Sequence, residues 1–216
     1  MRNPIRIPAY VAAMPDLSLE ALYAAQIGVS LRAVCGIDEA GRGPWAGPVA
    51  AAAVILDPDD MPEGIDDSKR LTEAARDGLA HTIRAQAKAY ACVMIGPDEI
   101  DQTNILAATM KAMRLAVEAL PITPELALVD GNKTPDLNMA CRAIVGGDHK
   151  SLSIAAASIL AKVERDQQMQ AADALYPGYG FAQHKGYGTK AHLEALRKLG
   201  PCPLHRLSYK PVAAIL

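Results

Sequence analysis

The sequence predicts an α/β fold built on a mixed sheet whose first strands run antiparallel. Half of the 216 residues are hydrophobic, which is enough to bury the core of one domain. Three short apolar segments with the composition of strands lie in the first half of the chain, and later strand segments alternate with helical ones. That order is typical of a sheet that begins antiparallel and continues with helical crossovers.

The first half of the chain is predicted to hold two helices and three strands. Apolar residues near helical spacing indicate a short helix over 17–27. Gly and Pro bound two apolar runs that predict strands over 33–37 and 49–56. A segment of helical composition over 72–89 then leads into a third predicted strand over 89–95.

The second half alternates helices with strands. A helix over 105–120 is expected to end at Pro121, because proline lacks an N–H and its ring clashes with the preceding turn. Short strands are predicted over 126–129 and 140–145, and a long alanine-rich helix over 151–172. A loop rich in Gly, Tyr and Pro then leads into a basic tail.

The composition argues against a zinc protein and against a secreted or membrane protein. The four cysteines are widely separated without a CxxC pair, and no histidines are spaced as ligands around them. Prolines interrupt the N-terminal apolar runs, and no later segment reaches membrane-spanning length. We therefore expect a cytoplasmic protein with free thiols and no membrane partner.

The formal net charge of -2 conceals a basic tail on an acidic body. Residues 184–216 hold six Lys or Arg and one acid, Glu194. This distribution suits a polyanionic partner held by the tail and a cation site in the body. On charge alone, a solvated tail with surplus basic side chains is an equally good explanation.

Acidic residues stand at the ends of two predicted strands and on the long helix. Asp38 and Glu39 are adjacent at the end of the first strand, where burial is costly unless a metal ion or another group compensates the charge. Asp130 ends the segment LALVD, at the carboxyl end of the sheet, where open α/β sheets place ligands. Asp166 shares a polar stripe of the helix with Ser158.

Together these four carboxylates predict a site for hard divalent cations. Mg²⁺ and Mn²⁺ prefer oxygen ligands, and four acids match two ions, which in phosphoryl transfer lie about 3.5 to 4 Å apart. Taken singly, Asp130 is better explained as a turn residue and Asp166 as part of a solvated helix face. The adjacent pair Asp38 and Glu39 is harder to explain without a ligand.

The loop GRGPWA at 41–46 also fits the loose dinucleotide-binding pattern GxGxxG/A, with Asp57 downstream as a ribose-binding acid. However, the following segment contains two prolines and then AAAVIL, which predicts a strand and not the helix that must meet a pyrophosphate. Two hypotheses besides a metal-dependent enzyme stay open at this point: a nucleotide-dependent oxidoreductase, and a nucleic-acid-binding module without catalysis.

Seven ordered motifs resemble bacterial ribonuclease HII, a type 2 ribonuclease H. They extend over nearly all of 33–210: GIDEAGRGPWAGPVAAAAVIL (36–56), DDSKRLT (66–72), IDQTNILAATMKAM (100–113), LVDGN (128–132), GGDHKSLSIAAASILAKVERD (146–166), HKGYGTKAHLEAL (184–196) and GPCPLHRLSY (200–209). The chain departs from the family pattern at Trp45, where a smaller apolar residue is usual, and over its first 32 residues.

The resemblance implies a ribonuclease H-like fold, with a five-stranded mixed sheet flanked by helices and a small helical C-terminal extension. It divides the chain into an N-terminal extension with a short helix (1–32), a catalytic domain (33–183) and a basic extension that contacts substrate (184–216). We expect a monomer.

The resemblance also implies an endonuclease that uses two divalent cations, Mn²⁺ or Mg²⁺. Such enzymes hydrolyse the phosphodiester on the 5′ side of a ribonucleotide in RNA/DNA hybrids or in DNA duplexes with embedded ribonucleotides, leaving 3′-hydroxyl and 5′-phosphate ends. By motif position, the family's four metal-binding catalytic acids correspond to Asp38, Glu39, Asp130 and Asp166.

Further positions match the family's substrate contacts. Gly41, Arg42 and Gly43 match the loop that senses the 2′-hydroxyl, the group that distinguishes RNA from DNA. Tyr187 matches the tyrosine that packs on the following deoxyribose. Lys69 and Asn104 are predicted to contact phosphates and fix the register of the duplex.

Overall fold

A five-stranded mixed sheet forms the centre of the computed structural model, which describes residues 14–66, 68–69 and 71–216. The strand order is β3-β2-β1-β4-β5. β2 pairs antiparallel with β1 and β3, whereas β4 pairs parallel with β1 and β5. The predicted sheet with an antiparallel start is therefore confirmed. Its strands are β1 (Val34–Ala40), β2 (Val49–Ile55), β3 (Ala89–Ile95), β4 (Leu126–Asp130) and β5 (Ala140–Ile144).

Helices account for most of the remaining described chain. The predicted long helices are present, and α4 ends at Glu118, just before Pro121. No individual helix was predicted over 97–102, 181–184, 190–199 or 210–213, although the resemblance implied a helical C-terminal extension. The helices are α1 (Ser18–Ile27), α2 (Glu73–Gln86), α3 (Pro97–Gln102), α4 (Ile105–Glu118), α5 (Leu152–Leu175), α6 (Phe181–His184), α7 (Lys190–Leu199) and α8 (Lys210–Ala213).

The two faces of the sheet are covered by different helices. Side chains alternate between faces along a strand, and β2 shows the division clearly. Ala51 and Ala53 belong to the core under α4, whereas Ala52 and Val54 belong to the core under α5 and α2. Because β2 is buried on both faces, its sequence is a continuous run of apolar residues.

Helix α5 packs unusually close to β1. A Cβ atom built on Gly36 of β1 would lie 2.1 Å from the carbonyl carbon of Ser153, so only glycine allows this approach. Ala155, Ala156 and Ala157 of α5 are fully buried and add little bulk. The backbone of α5 therefore lies directly against the central strand.

Helix α1 is held at the N-terminus of α5 by a buried carboxylate. Glu20 is fully buried, and its Oε1 accepts hydrogen bonds from the Ser151 hydroxyl (2.6 Å) and the Ser153 amide (2.9 Å). A negative charge is favourable at this end of a helix dipole. The first 13 residues of the predicted N-terminal extension lie outside the described residues. Within the part that is described, none of the helices combines the length and the apolar character that crossing a membrane requires.

We expect Gly36→Ala to lower the free energy of unfolding by about 3 kcal/mol, because the new methyl group meets the backbone of α5 and the helix must shift. Gly78→Ala is the matched control, since Gly78 lies on the exposed face of α2 with no atom within 4 Å of a built Cβ. That change should stabilise the protein by about 0.5 to 1 kcal/mol. Urea unfolding of both variants measures the two effects, and equal stabilities would contradict the close packing.

Candidate active site

A cavity of about 190 Å³ opens at the carboxyl ends of β1 and β4. It brings together six of the ten residues predicted to form the site: Asp38, Glu39, Gly41, Lys69, Asp130 and Tyr187. The other lining residues are Ala40, Ser68, Ser158 and Lys162. The predicted polar stripe of the long helix thus reaches the cavity through Ser158 and Lys162 of α5.

Glu39 lies between this cavity and a second one. Because neighbouring side chains of a strand point to opposite faces, Asp38 faces α5 and Glu39 is directed toward the α4 side. The second cavity has a volume of about 150 Å³ and is lined by Glu39, Asp130, Arg42, the 131–133 loop and apolar side chains of α4. Two carboxylates are therefore accessible from both sides of the strand ends.

The acids destabilise one another's charged forms. Burial raises the pKa of Asp38 well above its usual range, and the nearby charges of Glu39 and Asp130 raise it further. Burial also raises the pKa of Glu39, although Arg42, whose Nη1 lies 3.4 Å from Glu39 Oε1, opposes this. Among the described residues no Lys or Arg forms an ion pair with Asp38. A hard cation would supply the missing compensation.

Asp166 is close to the cavity but does not line it. Its carboxylate is almost fully buried and accepts a 2.6 Å hydrogen bond from Nζ of Lys162, one helical turn earlier on α5. In the part of the chain that is described, no three His, Cys, Asp or Glu side chains are spaced as a ready-made metal site. Three of the predicted ligands surround the cavity, the fourth is paired with a lysine, and the four-acid metal set stays a prediction.

The loop between β1 and β2 has no helix, which excludes the dinucleotide-binding alternative. Residues 44–48 connect directly to β2, so no helix N-terminus is present to meet a pyrophosphate. Gly41 has a φ of 96°, and a Cβ there would lie 2.1 Å from Arg165 Nε. Glycine is therefore required at Gly41 by both conformation and space.

Two buried arginines hold the backbone of this loop. Arg165 of α5 donates to the carbonyls of Pro48 (3.0 Å) and Ala46 (3.2 Å). Arg206 donates to those of Gly47, Arg42 and Gly41. Both side chains are fully buried. Sequence reasoning missed these roles, because it grouped Arg206 with a basic tail expected to contact a polyanion or solvent. The only signal was the position of Arg206 within a resembling motif.

Tyr187 faces the loop across the cavity. Its side chain is 44% exposed, and a Cβ built on Gly43 would lie 3.9 Å from its ring. Nζ of Lys162 and the guanidinium of Arg165 each lie 5.8 Å from the ring centroid. Gly41 of the loop and Tyr187 thus line the same cavity.

Buried histidines support the backbone of Tyr187. Nδ1–H of His192 donates to the Tyr187 carbonyl (2.9 Å), and Nε2 of His192 accepts from Nε2–H of His205 (3.1 Å). Nδ1 of His205 accepts from the Cys202 amide (3.0 Å), so the His205 proton is on Nε2. The His192 proton is therefore on Nδ1. Burial lowers the pKa of His192 to about 4, so the network holds neutral rings.

The two predicted phosphate contacts differ in position. Lys69 lines the cavity, and its Nζ pairs with Asp148 at 2.9 Å while the side chain is 76% exposed. Asn104 lines neither cavity at the carboxylates, and its Oδ1 caps α4 by accepting from the Ala107 amide (2.9 Å). Residues 67 and 70 of the same DDSKRLT motif lie outside the described residues.

The C-terminal extension is less basic on its surface than its sequence suggests. Arg206 is fully buried, and the Lys185 side chain is only 12% exposed and lies near Glu73. Four basic side chains of the extension remain exposed: Lys190, Arg197, Lys198 and Lys210. Any contact with a polyanion through exposed basic side chains of this segment rests on those four.

Comparisons with known proteins identify one family. A family model described as Ribonuclease HII matches residues 35–212. Ribonuclease HII of Idiomarina loihiensis is 57% identical over 183 residues, covering 85% of this chain and 98% of that relative. Ribonuclease HII of Caulobacter vibrioides is 54% identical over 202 residues, covering 94% of this chain and 93% of that relative.

A solved structure shows the same fold. The ribonuclease H2 from Pyrococcus horikoshii OT3 superposes with a TM-score of 0.71 at 26% identity, over 84% of this chain and 96% of that one. The predicted ribonuclease H-like fold is therefore confirmed. The protein is a hydrolase of the ribonuclease H type, and the chain belongs to the ribonuclease HII family.

Proposed function

We propose that this ribonuclease cuts the phosphodiester on the 5′ side of a ribonucleotide, in RNA/DNA hybrids and in DNA duplexes with embedded ribonucleotides. The products are 3′-hydroxyl and 5′-phosphate ends. The observation that carries the proposal is the cavity that places Asp38, Glu39 and Asp130 next to the 41–43 loop and Tyr187. Groups for hydrolysing a phosphodiester and groups for recognising a ribose thereby share one cavity.

Enzymes of this family are metal-dependent, and the donor set fits hard divalent cations. Buried carboxylates that repel one another are the ligands such cations prefer. We assign Asp38, Glu39, Asp130 and Asp166 as the residues that hold two Mg²⁺ or Mn²⁺ ions. Held by these four carboxylates, such ions would supply an activated water and stabilisation of the charge on the leaving oxygen.

Other side chains of the protein balance the charge of the acids and help to position the substrate. Lys69 and Lys162 add positive charge to a cavity that otherwise carries three acids, which suits the approach of a phosphodiester. Lys162 also pairs with Asp166 and balances the charge of that carboxylate. Asp130 is oriented by the Gly147 amide, which donates to its Oδ1 at 2.6 Å.

Ribonucleotide selection is assigned to the loop and the tyrosine. Gly43 leaves open space between the loop and Tyr187, so a sugar can approach main-chain groups that recognise its 2′-hydroxyl. The half-exposed ring of Tyr187 packs on the next deoxyribose. Correct placement of the scissile phosphate then depends on the 2′-hydroxyl.

Asp130→Asn should abolish most of the cleavage. Asparagine keeps the shape of the side chain and an oxygen for the Gly147 amide, but it removes one negative charge from the cation site. We expect kcat to fall on the order of 100-fold, which corresponds to a loss of about 3 kcal/mol of transition-state stabilisation.

The measurement uses a labelled DNA duplex with one ribonucleotide, with Mg²⁺ or Mn²⁺, beside an all-DNA duplex and an EDTA control. Asp136→Asn, a change of the same kind at an exposed residue, should cleave like the wild type. Normal turnover by Asp130→Asn would refute the carboxylate assignment. Cleavage at another bond would refute the proposed 5′ specificity.

Tyr187→Ala should raise KM about tenfold with a smaller effect on kcat, because the ring supplies packing area for the sugar. The matched variant Tyr187→Phe retains the ring and should stay close to the wild type. Neither change touches the carbonyl that His192 binds. Steady-state cleavage of the single-ribonucleotide duplex tests this, and an unchanged KM for Tyr187→Ala would place the ring outside the substrate site.

The exposed basic side chains of α7 should contribute to duplex binding. Replacing Lys190 and Lys198 by Gln should reduce the slope of log Kd against log salt concentration by about 1 to 2, since each phosphate contact contributes about 0.9. The control pair Lys88→Gln with Arg114→Gln removes the same charge elsewhere on the protein. Fluorescence anisotropy over a salt series measures both, and identical slopes would exclude α7 from the interface.

A further inference from the structure

Arg206 makes hydrogen bonds that converge on a single target, the main chain of the loop 41–47. Its Nε donates to the Gly47 carbonyl (3.0 Å), its Nη1 to the Arg42 carbonyl (3.0 Å) and its Nη2 to the Gly41 carbonyl (2.5 Å). The side chain is fully buried. The rigid fork of a guanidinium suits such a set of fixed acceptors, which a lysine could not reach together.

Tyr209 completes this contact. Its hydroxyl donates to the Arg42 carbonyl at 2.6 Å and accepts from Nη1 of Arg206 at 2.9 Å. The guanidinium also lies 5.1 Å from the centroid of the Tyr209 ring. The Arg206 amide donates to the Trp45 carbonyl, which joins the same two segments through the backbone. Two groups therefore bind the Arg42 carbonyl from the C-terminal extension.

The orientation of these carbonyls determines the orientation of the neighbouring amides. In a trans peptide the C=O and N–H groups point in opposite directions. When Arg206 holds the carbonyls of Gly41 and Arg42, the N–H groups of Arg42 and Gly43 must point away from it. Neither N–H makes a hydrogen bond within the described residues. Both are therefore available as donors to a ligand.

Fold stability alone is a weak explanation for this arrangement. No described carboxylate forms an ion pair with Arg206. Its charge is compensated by carbonyl dipoles, by the Tyr209 hydroxyl and by the more distant charge of Asp101. Burying an arginine in this way costs desolvation energy, and apolar side chains often replace buried ions without loss of stability. What an apolar side chain cannot provide is a fixed direction for several carbonyls at once.

We propose that Arg206 and Tyr209 are positioning residues that hold the 41–43 loop with its amides directed at the ribose, so that the C-terminal extension determines selectivity for a ribonucleotide. The inference rests on the proposed function, because it assigns the loop to recognition of the 2′-hydroxyl. Neither residue touches the reacting phosphate. Their effect is exerted through the loop.

The test compares binding and cleavage by the full chain carrying Arg206→Lys or Tyr209→Phe. Binding is measured in EDTA with two duplexes of one sequence, one containing a single ribonucleotide and the other all DNA. We expect Arg206→Lys to reduce two quantities about tenfold each: the ratio of affinities for the ribonucleotide and all-DNA duplexes, and kcat/KM for cleavage. The reason is the loss of charge-assisted hydrogen bonds. Affinity for the all-DNA duplex should be unchanged, which general damage to the fold would not produce.

Two further variants separate this role from a structural one. Tyr209→Phe removes one hydroxyl and should reduce the preference in the same direction by a smaller factor, so it decides the question if Arg206→Lys does not fold. Arg114→Lys, at a solvent-exposed ion pair with Glu118, is the matched control and should behave as the wild type.

The outcomes distinguish the inference from the function on which it rests. If the wild type cleaves at the ribonucleotide but the folded variants keep the full preference, the positioning role is wrong and the proposed function stands. An equal loss of affinity for both duplexes would also overturn the positioning role. If the wild type has no preference and no cleavage, the proposed function fails, and the inference fails with it.

Discussion

The close contact between β1 and α5 at Gly36 is the constraint on which the site depends. Because the strand lacks a side chain there, the helix backbone lies against the sheet, and the polar stripe of α5 arrives beside the carboxyl end of the same strand. Ser158 and Lys162 thereby reach the cavity that holds Asp38. A bulkier residue at Gly36 would move the helix and its charged groups together, so packing and catalysis share one geometric requirement.

The buried charges are treated in two different ways. Arg165 and Arg206 are fully buried, but carbonyl oxygens of the 41–48 loop and of Lys185 surround them. Asp38 is also buried, yet it faces two other acids and has no cationic partner among the described residues. Carbonyl oxygens thus compensate most of the charge of the two arginines, whereas no described cationic side chain forms an ion pair with Asp38. Among the predicted ligands Asp166 differs from Asp38, because Lys162 pairs with it.

The sequence predicted the parts of this structure that depend on local pattern. Apolar runs bounded by Gly and Pro predicted strands, helical spacing and composition predicted the long helices, and the adjacent acids at a strand end marked the site. It did not predict that Lys162 pairs with Asp166, that Asn104 caps α4, or that Arg206 is buried. The last depends on a contact between residues 165 positions apart. Spacing along the chain carries no information about such a contact.

The predicted boundaries at residues 33 and 184 are crossed by the hydrogen bonds that order the site. From the N-terminal side, Glu20 binds Ser151, whose amide donates to the Gly147 carbonyl, and the Gly147 amide donates to Asp130. From the C-terminal side, Arg206 holds the loop next to Glu39. The sheet and α5 supply the four predicted acids, but both flanking segments fix their surroundings. Removing either segment would therefore disturb the site even though all four predicted ligands would remain in the chain.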